Sequence, residues 1–371
     1  MPLTKTAAAL IVLTLVSAFP ARAQISINIS NPNDMVFSSS QNQLYITTDG
    51  GTIQRYDLGN QALLSPFSVG GILNGADITT DGNFLYVTQG IAGPTQGILE
   101  KVDLSTGMKT DLFYALASNE GGGWDVAIGS NGLALMTTKF NGSGWTPLRQ
   151  IDLTTGTISV RSDTPGSGSG NQVRGSTFLD RSFDRELVYI QEWNSSAGPA
   201  FTYSATSNTF SSAVQFNVFQ SQGAVSRDHS LLATLTYPNT TITLNDFTPV
   251  TGFANYHSGI AFDPVRDLLY LVNTNQNTID AFDTHTWQLI QSIAIGQSIA
   301  SSSDYFGAGY LVASEDGDWL ALNLGDKVNL YSVPETASLT YLLIGLAGLL
   351  PTVLRQARVS HRGPRSEKTE K

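Results

Sequence analysis

The 371-residue chain contains no cysteine. That excludes a disulfide framework, thiol chemistry and any cysteine-based metal centre. Histidine is almost as scarce, at four residues, and no His-x-x-x-His pair gives zinc the spacing it needs. There is no Gly-x-Ser-x-Gly elbow and no phosphate-binding glycine loop. Basic residues are few in the body: twelve against twenty-seven acidic between Gln24 and Ser332, a balance of about −15. Such a surface repels phosphate backbones and excludes nucleic acid as a partner. It suits an extracellular protein, with divalent cations as the one cofactor class the charge favours and no other cofactor implied. Long apolar runs are missing except at the two ends.

Those ends carry targeting information. Lys5, the apolar stretch Ala7 to Phe19 and the Ala21-Arg22-Ala23 site read as a secretory signal peptide over residues 1–23, with the mature chain beginning at Gln24. At the other end Val333, Pro334 and Glu335 precede an uncharged run over 337–354. Eighteen residues at about 1.5 Å each make a helix of roughly 27 Å, enough to cross a bilayer core. Arg355, Arg358, Arg362 and Arg365 follow in the tail 355–371 and are expected on the cytoplasmic side.

A polar motif (333–336), an apolar helix and an arginine cluster together resemble the PEP-CTERM sorting signal. The family motif reads Pro-Glu-Pro, where this chain has Pro334-Glu335-Thr336, and Pro351 interrupts the span. The resemblance covers the segment 333–371. It implies an exported bacterial protein handed to an exosortase-type sorting protease. The chain would be anchored in the inner membrane at least transiently, then reach the cell surface or the extracellular matrix.

The body is rich in Gly, Ser, Thr, Asn and Asp, and its apolar stretches are short and alternate at period two, the pattern of strands and hairpins. Repeats are present. Asn33 to Phe37 runs through a turn into Leu44-Tyr45-Ile46-Thr47. Gly75 to Ile78 runs through Thr80-Asp81-Gly82-Asn83 into Leu85-Tyr86-Val87-Thr88. The order restarts at Gly123, Gly175, Gly223, Gly259 and Gly309, with third strands such as Lys101-Val102-Asp103-Leu104 and Gln150-Ile151-Asp152-Leu153. Seven units of this size predict an all-β, seven-bladed β-propeller over 24–332. The last unit has only three strands, so Ile25 to Ile29 is expected to supply the fourth and close the ring. The runs Leu-Tyr-Val-Thr and Thr278 to Asp283 resemble YVTN-type propellers. The Gly/Ser-rich segment Thr164 to Asn171 reads as a disordered excursion between blades three and four.

Residues at the inner-strand starts should point to the channel mouth. They are Asn74, Asp77, Trp124, Asp125, Arg174, Gln222, His257 and Asp304. Carboxylates, an imidazole and a guanidinium there would hold a cation or a small polar ligand, and Trp124 would stack on a sugar ring. His229 and His285 lie in tight turns and read as solvated. Asp316-Gly317-Asp318 and Thr80 to Asn83 match hairpin turns rather than calcium loops. The three N-x-[ST] matches, at Asn141, Asn194 and Asn239, are no more than this composition produces by chance.

The expected role is a non-enzymatic binding protein whose partner is a polysaccharide or another surface protein, with membrane contact through the C-terminal helix. The alternative is an enzyme, a lactonase-like hydrolase or lyase with a metal-assisted site at the channel mouth. The two differ in whether Asp77, Asp125, Arg174, His257 and Asp304 converge.

Overall fold

The computed structural model describes residues 24–192, 198–216, 220–299 and 306–333. The signal peptide, the sorting motif beyond Val333, the apolar helix, the basic tail and Asp304 all lie outside the described residues. Among the described residues there is no helix, so none is long and apolar enough to cross a membrane.

The strands form seven antiparallel blades around an axis. The innermost strands are Pro32–Ser38, Leu73–Ile78, Glu120–Ile128, Phe178–Arg181, Gln220–Val225, His257–Phe262 and Leu311–Ala313 for blades 1 to 7. Each pairs outward through two further strands to an outer one. The seventh blade is completed by Ile25–Asn28, which pairs antiparallel with Lys327–Ser332 in the register Ile27 to Val328. Ser26 Oγ donates to Asn329 Oδ1 at 2.8 Å across that seam. The N-terminal strand therefore closes the ring, as the missing fourth strand required, and leaves the third strand of blade 7 no open edge.

The core is a set of layers between neighbouring blades. Tyr45 and Ile53 of blade 1 pack with Leu73, Leu85, Val87 and Val102 of blade 2, and corresponding clusters recur around the ring. The second-strand threonine of the Leu-Tyr-Ile-Thr run ties adjacent blades. Thr47 Oγ1 donates to the Asn74 carbonyl (2.7 Å), Thr88 to that of Trp124 (3.0 Å) and Thr137 to that of Thr177 (2.7 Å). The repeated Asp after the third strand caps the next turn. Asp103 Oδ1 accepts the N–H groups of Ser105 and Thr106, and Asp152 those of Thr154 and Thr155.

The turns between strands 1 and 2 of blades 2, 4, 5 and 7 share one construction. Thr79, Ser182, Ser226 and Ser314 each donate a hydroxyl to the Asp two residues on, Asp81, Asp184, Asp228 and Asp316. Each hydroxyl also accepts the N–H five residues on, at Phe84, Leu187, Leu231 and Trp319. The carboxylates of the acidic turns are thus occupied in closing hairpins.

Two expectations need correction. Blade 4 begins at Phe178, three residues past Gly175, because Gln172–Arg174 pairs instead with Trp145–Pro147 in a separate two-stranded ribbon. The segment Thr164 to Asn171 is not a disordered excursion. The Ser167 N–H donates to Glu192 at 2.7 Å, its hydroxyl bonds the same carboxylate, and Trp145 Nε1 donates to Ser167 Oγ at 2.7 Å. A buried carboxylate that needs donors holds the segment down.

Candidate functional site

The inner strands leave one edge of N–H and C=O groups facing the axis, where no further strand can pair with them. Side chains of the preceding blade satisfy them. Asp34 Oδ2 accepts the Ala76 N–H (2.7 Å), Asp77 Oδ2 that of Ile128 (2.7 Å), Asp125 Oδ2 that of Leu179 (2.9 Å) and Gln222 Oε1 that of Ile260 (3.1 Å). Each aspartate's other oxygen accepts the N–H of its own successor, Met35, Ile78 or Val126. Gln222 also donates to the Leu311 carbonyl at 3.0 Å. These side chains link blades 1 to 2, 2 to 3, 3 to 4, and 5 to 6 and 7.

Gly75 shows why a residue without Cβ is needed at this crossing. A Cβ there would stand 2.7 Å from the Asp125 Cα and collide with its carboxylate. The inner strands of blades 2 and 3 approach to backbone contact, and the aspartate of one occupies the space the glycine of the other leaves.

Below these ties a cavity of about 160 Å³ runs along the axis, lined by Asp34, Asp77, Asp125, Asp180, Arg181 and Tyr310 among others. At its upper end Trp124 packs against Phe178 and Phe306 with ring centroids 5.9 and 5.3 Å apart, and Phe306 against Tyr310 at 5.5 Å. Blades 3 and 4 stand opposite blade 7 in a seven-membered ring, so this aromatic cluster crosses the axis and plugs the channel.

Electrostatics divide the cavity. Burial pushes the Asp34 carboxyl up to about 7, and burial with the nearby Asp34 raises Asp125 well above the usual carboxylate range. The Tyr310 hydroxyl, raised by burial and by the Asp34 charge, donates to Asp34 Oδ1 at 3.0 Å. Farther along, burial would raise Asp77 too, but Arg181 and Arg185 overcome it and hold the carboxyl below its ordinary value. Arg181 grips Asp77 with two bonds, Nε to Oδ2 at 2.7 Å and Nη2 to Oδ1 at 2.9 Å, and Arg185 Nη1 lies 3.3 Å from Oδ2. Burial and the neighbouring Arg181 bring the Arg185 guanidinium down to about 10.

Of the residues expected at the channel mouth, Asp77, Asp125 and Gln222 line the cavity. Asn74 does not; its amide donates to the Gly123 carbonyl at 2.7 Å between blades. Trp124 is buried in the plug and offers no ring face to a sugar. His257 is buried at the junction of blades 5 and 6, with Nδ1 2.9 Å from Thr240 Oγ1 and its pKa lowered by burial. Arg174 sits on the separate two-stranded ribbon and bonds Ser143 Oγ at 2.9 Å. Two of the five discriminating residues therefore meet, Arg174 and His257 stand apart, and Asp304 is outside the described residues. His229 and His285 are in exposed turns, beside Asp184 and Asp267. No cluster of three or more metal-ligating side chains exists among the described residues.

Sequence reasoning missed Asp34, Asp180, Arg181, Arg185 and Tyr310. Asp34-Met35 occupies the same register as Asp125-Val126, each preceding the residue paired with Ile46 or Met136, so aligning the repeats would have found it. Arg181 and Arg185 were hidden by the three-residue offset in the start of blade 4.

No family model matches the chain, and no curated protein matches it. Solved structures do. A Kuenenia stuttgartiensis hydrazine synthase chain is similar at 14% identity and TM-score 0.62, covering 82% of this chain and 96% of that one. The Dos1 propeller matches at 14% identity and TM-score 0.61, covering 82% and 78%. The Myceliophteria thermophila Cps50 (Swd1) β-propeller domain matches at 10% identity and TM-score 0.60, covering 83% and 98%. Likenesses at this identity establish the propeller fold and carry no function.

Proposed function

We propose that this propeller is a non-enzymatic binding protein, exported and sorted through its C-terminal segment, that presents one face to a polysaccharide or a surface protein. The observation that carries the reading is the state of the channel. Each oxygen of Asp34, Asp77 and Asp125 already accepts a backbone N–H, and the aromatic cluster closes one mouth. A metal-assisted hydrolase needs carboxylates free to be drawn onto the metal and an open path for substrate. These carboxylates are committed to joining blades.

The outer surface supports the same reading. Strand directions alternate, so the turns between strands 2 and 3 share a face with the links between blades. Ile91, Trp145, Tyr237 and Tyr256 all lie on that face, 55, 41, 67 and 36% exposed. Tyr237 and Tyr256 stand as a pair with ring centroids 6.0 Å apart. Exposed aromatic side chains with polar edges are the usual contact groups for sugars and protein partners.

The test is recovery of the protein from its native host in membrane and released fractions, followed by intact mass and by binding of the released form to matrix polysaccharides. A released species ending near Val333 that retains polysaccharide supports the proposal. A species found only in membranes and complete to Lys371 removes the sorting part. Hydrolytic turnover of a lactone that is lost in Asp125→Asn without loss of fold would instead favour the enzyme.

A further inference from the structure

The same face holds a pocket that neither the channel nor the blade ties explain. A cavity of about 190 Å³ is headed by Arg174 and lined by Phe140, Ser143, Ser176 and three glycines. It lies where the extra two-stranded ribbon of Trp145–Pro147 with Gln172–Arg174 rises beside blade 3. The register pairs Trp145 with Arg174, so both side chains leave the same side of that ribbon, and the guanidinium lies 5.9 Å from the indole centroid.

Arg174 is unusual in this chain. Arg149, Arg161, Arg181, Arg185, Arg227 and Arg266 each have a carboxylate within ion-pair distance. Arg55, which has none, is held by Gln43 and lies over Phe67. Among the described residues Arg174 has no carboxylate that close, and its one side-chain hydrogen bond goes to the Ser143 hydroxyl. Glu192, the acid whose charge Arg174 influences, has both oxygens engaged by Ser167. A guanidinium with spare donors is thus aimed at a cavity in a body that carries about twice as many acids as bases.

The backbone adds donors. The N–H groups of Gly142, Ser143 and Gly144 have no backbone acceptor among the described residues. Gly175 must be glycine, because a Cβ there would stand 2.7 Å from the Phe140 backbone nitrogen, and a Cβ at Gly144 would push the Phe140 ring aside. Arg174, the Ser143 hydroxyl and the backbone of Gly142 to Gly144 line one concave spot beside a tryptophan that is 41% exposed.

We infer that this pocket takes the carboxylate of an acidic sugar, with its ring against Trp145. The inference rests on the polysaccharide form of the function proposed above. A guanidinium presents a planar fork that matches a carboxylate, and an exposed indole packs against sugar C–H groups. The surrounding charge of about −15 repels a densely charged chain, so the fitting ligand is an otherwise neutral glycan with an isolated carboxylated residue.

The test uses the full mature protein and two oligosaccharides that differ only at the terminal residue, glucuronate in one and glucose in the other, with titration calorimetry as readout. The glucuronate form should bind roughly ten- to hundredfold more tightly, the range of a charge-assisted hydrogen-bonded pair. Arg174→Ala should erase that difference and Arg174→Lys retain part of it, with unchanged thermal unfolding. Trp145→Ala should weaken both oligosaccharides alike. A preference that survives Arg174→Ala, or equal binding of the two forms, overturns the site and leaves the polysaccharide reading standing. Failure to bind any glycan overturns both. Acetate that displaces the glucuronate form as well as free glucuronate does overturns the sugar and leaves a simple anion site.

Discussion

The Tyr310 hydroxyl donates to the Asp34 carboxylate at 3.0 Å across 276 residues of sequence. It fastens blade 7 to blade 1 on the axis, while Ile25–Asn28 fastens the same two ends at the rim. The ring is therefore closed inside by side chains, since Asn323 Nδ2 also donates to the Pro32 carbonyl at 2.8 Å, and outside by a strand. Removing the inner tie with Tyr310→Phe should cost about 1 kcal/mol or somewhat more, because it strips a buried acid of one donor. Urea unfolding followed by tryptophan fluorescence would measure it, and no loss of stability would show the tie to be idle.

The acid pair makes stability depend on pH in an uncommon direction. Asp34 is raised to about 7 from an ordinary value near 4, and Asp125 is raised with it. A carboxyl that keeps its proton longer when folded contributes stability that is fully present below its unfolded pKa and is lost as pH rises through the folded one. Thermal unfolding should therefore occur at a higher temperature near pH 5 than near pH 8. Asp34→Asn should be less stable throughout, since an amide cannot accept all three bonds, but with a flatter slope over that window. A wild-type profile that rises from pH 5 to 8 would contradict the burial argument.

Asp77 is expected to tolerate change worst of all. It partners the backbone of Ile128 and two guanidiniums that are 84% or more buried as side chains. Asp77→Ala leaves Arg181 without a paired carboxylate and Arg185 with only Glu315, at 3.9 Å, a loss of about 3–5 kcal/mol. Equilibrium denaturation should show it, and the triple change to Asp77→Ala, Arg181→Met and Arg185→Met should recover much of the loss.

Ring closure can be tested at the rim. Ile27 is buried against blade 7 at 2% exposure. Ile27→Ala should cost roughly 2–4 kcal/mol as a core truncation. Deleting residues 24–28 should do more, exposing the Lys327–Ser332 edge and producing association visible by light scattering. A monomeric deletion variant with native unfolding behaviour would show that the strand is dispensable.

The crossing of blades 2 and 3 gives a fifth expectation. Gly75→Ala places a methyl group against the Asp125 backbone, which cannot move without opening the interface, so a loss of about 1–3 kcal/mol is expected. Gly132→Ala is the comparison, since nothing lies within 4 Å of its Cβ position and only the positive φ of 78° opposes it. A larger effect at Gly132 than at Gly75 would mean that strain outweighs crowding.

The repeats were legible because each blade obeys local rules. Alternation along Leu85-Tyr86-Val87-Thr88, Asp-capped turns after the third strand, and Gly at the left-handed turn position such as Gly82 all act within a few residues. Even the closure by Ile25–Asn28 could be counted out, since a final unit with three strands lacks one. The site was legible only in part. Asp77 and Asp125 could be placed at the axis by register, but Trp124 there is buried in the plug, and His257 turned into the packing between blades.

Sequence by itself determined the blade count, the turn chemistry and the ring closure, because hydrophobic period and hydrogen-bond capping are short-range and repeat identically. It determined too that no thiol chemistry is available. Only the tertiary structure decided which polar residues meet. Asp34 meets Tyr310, Asp77 meets Arg181 and Arg185, and Arg174 is left with Ser143, because these outcomes depend on which blades stand opposite or adjacent once the ring closes. Charges far apart in the chain share one low-dielectric channel only after that closure, and there burial and pairing fix their roles.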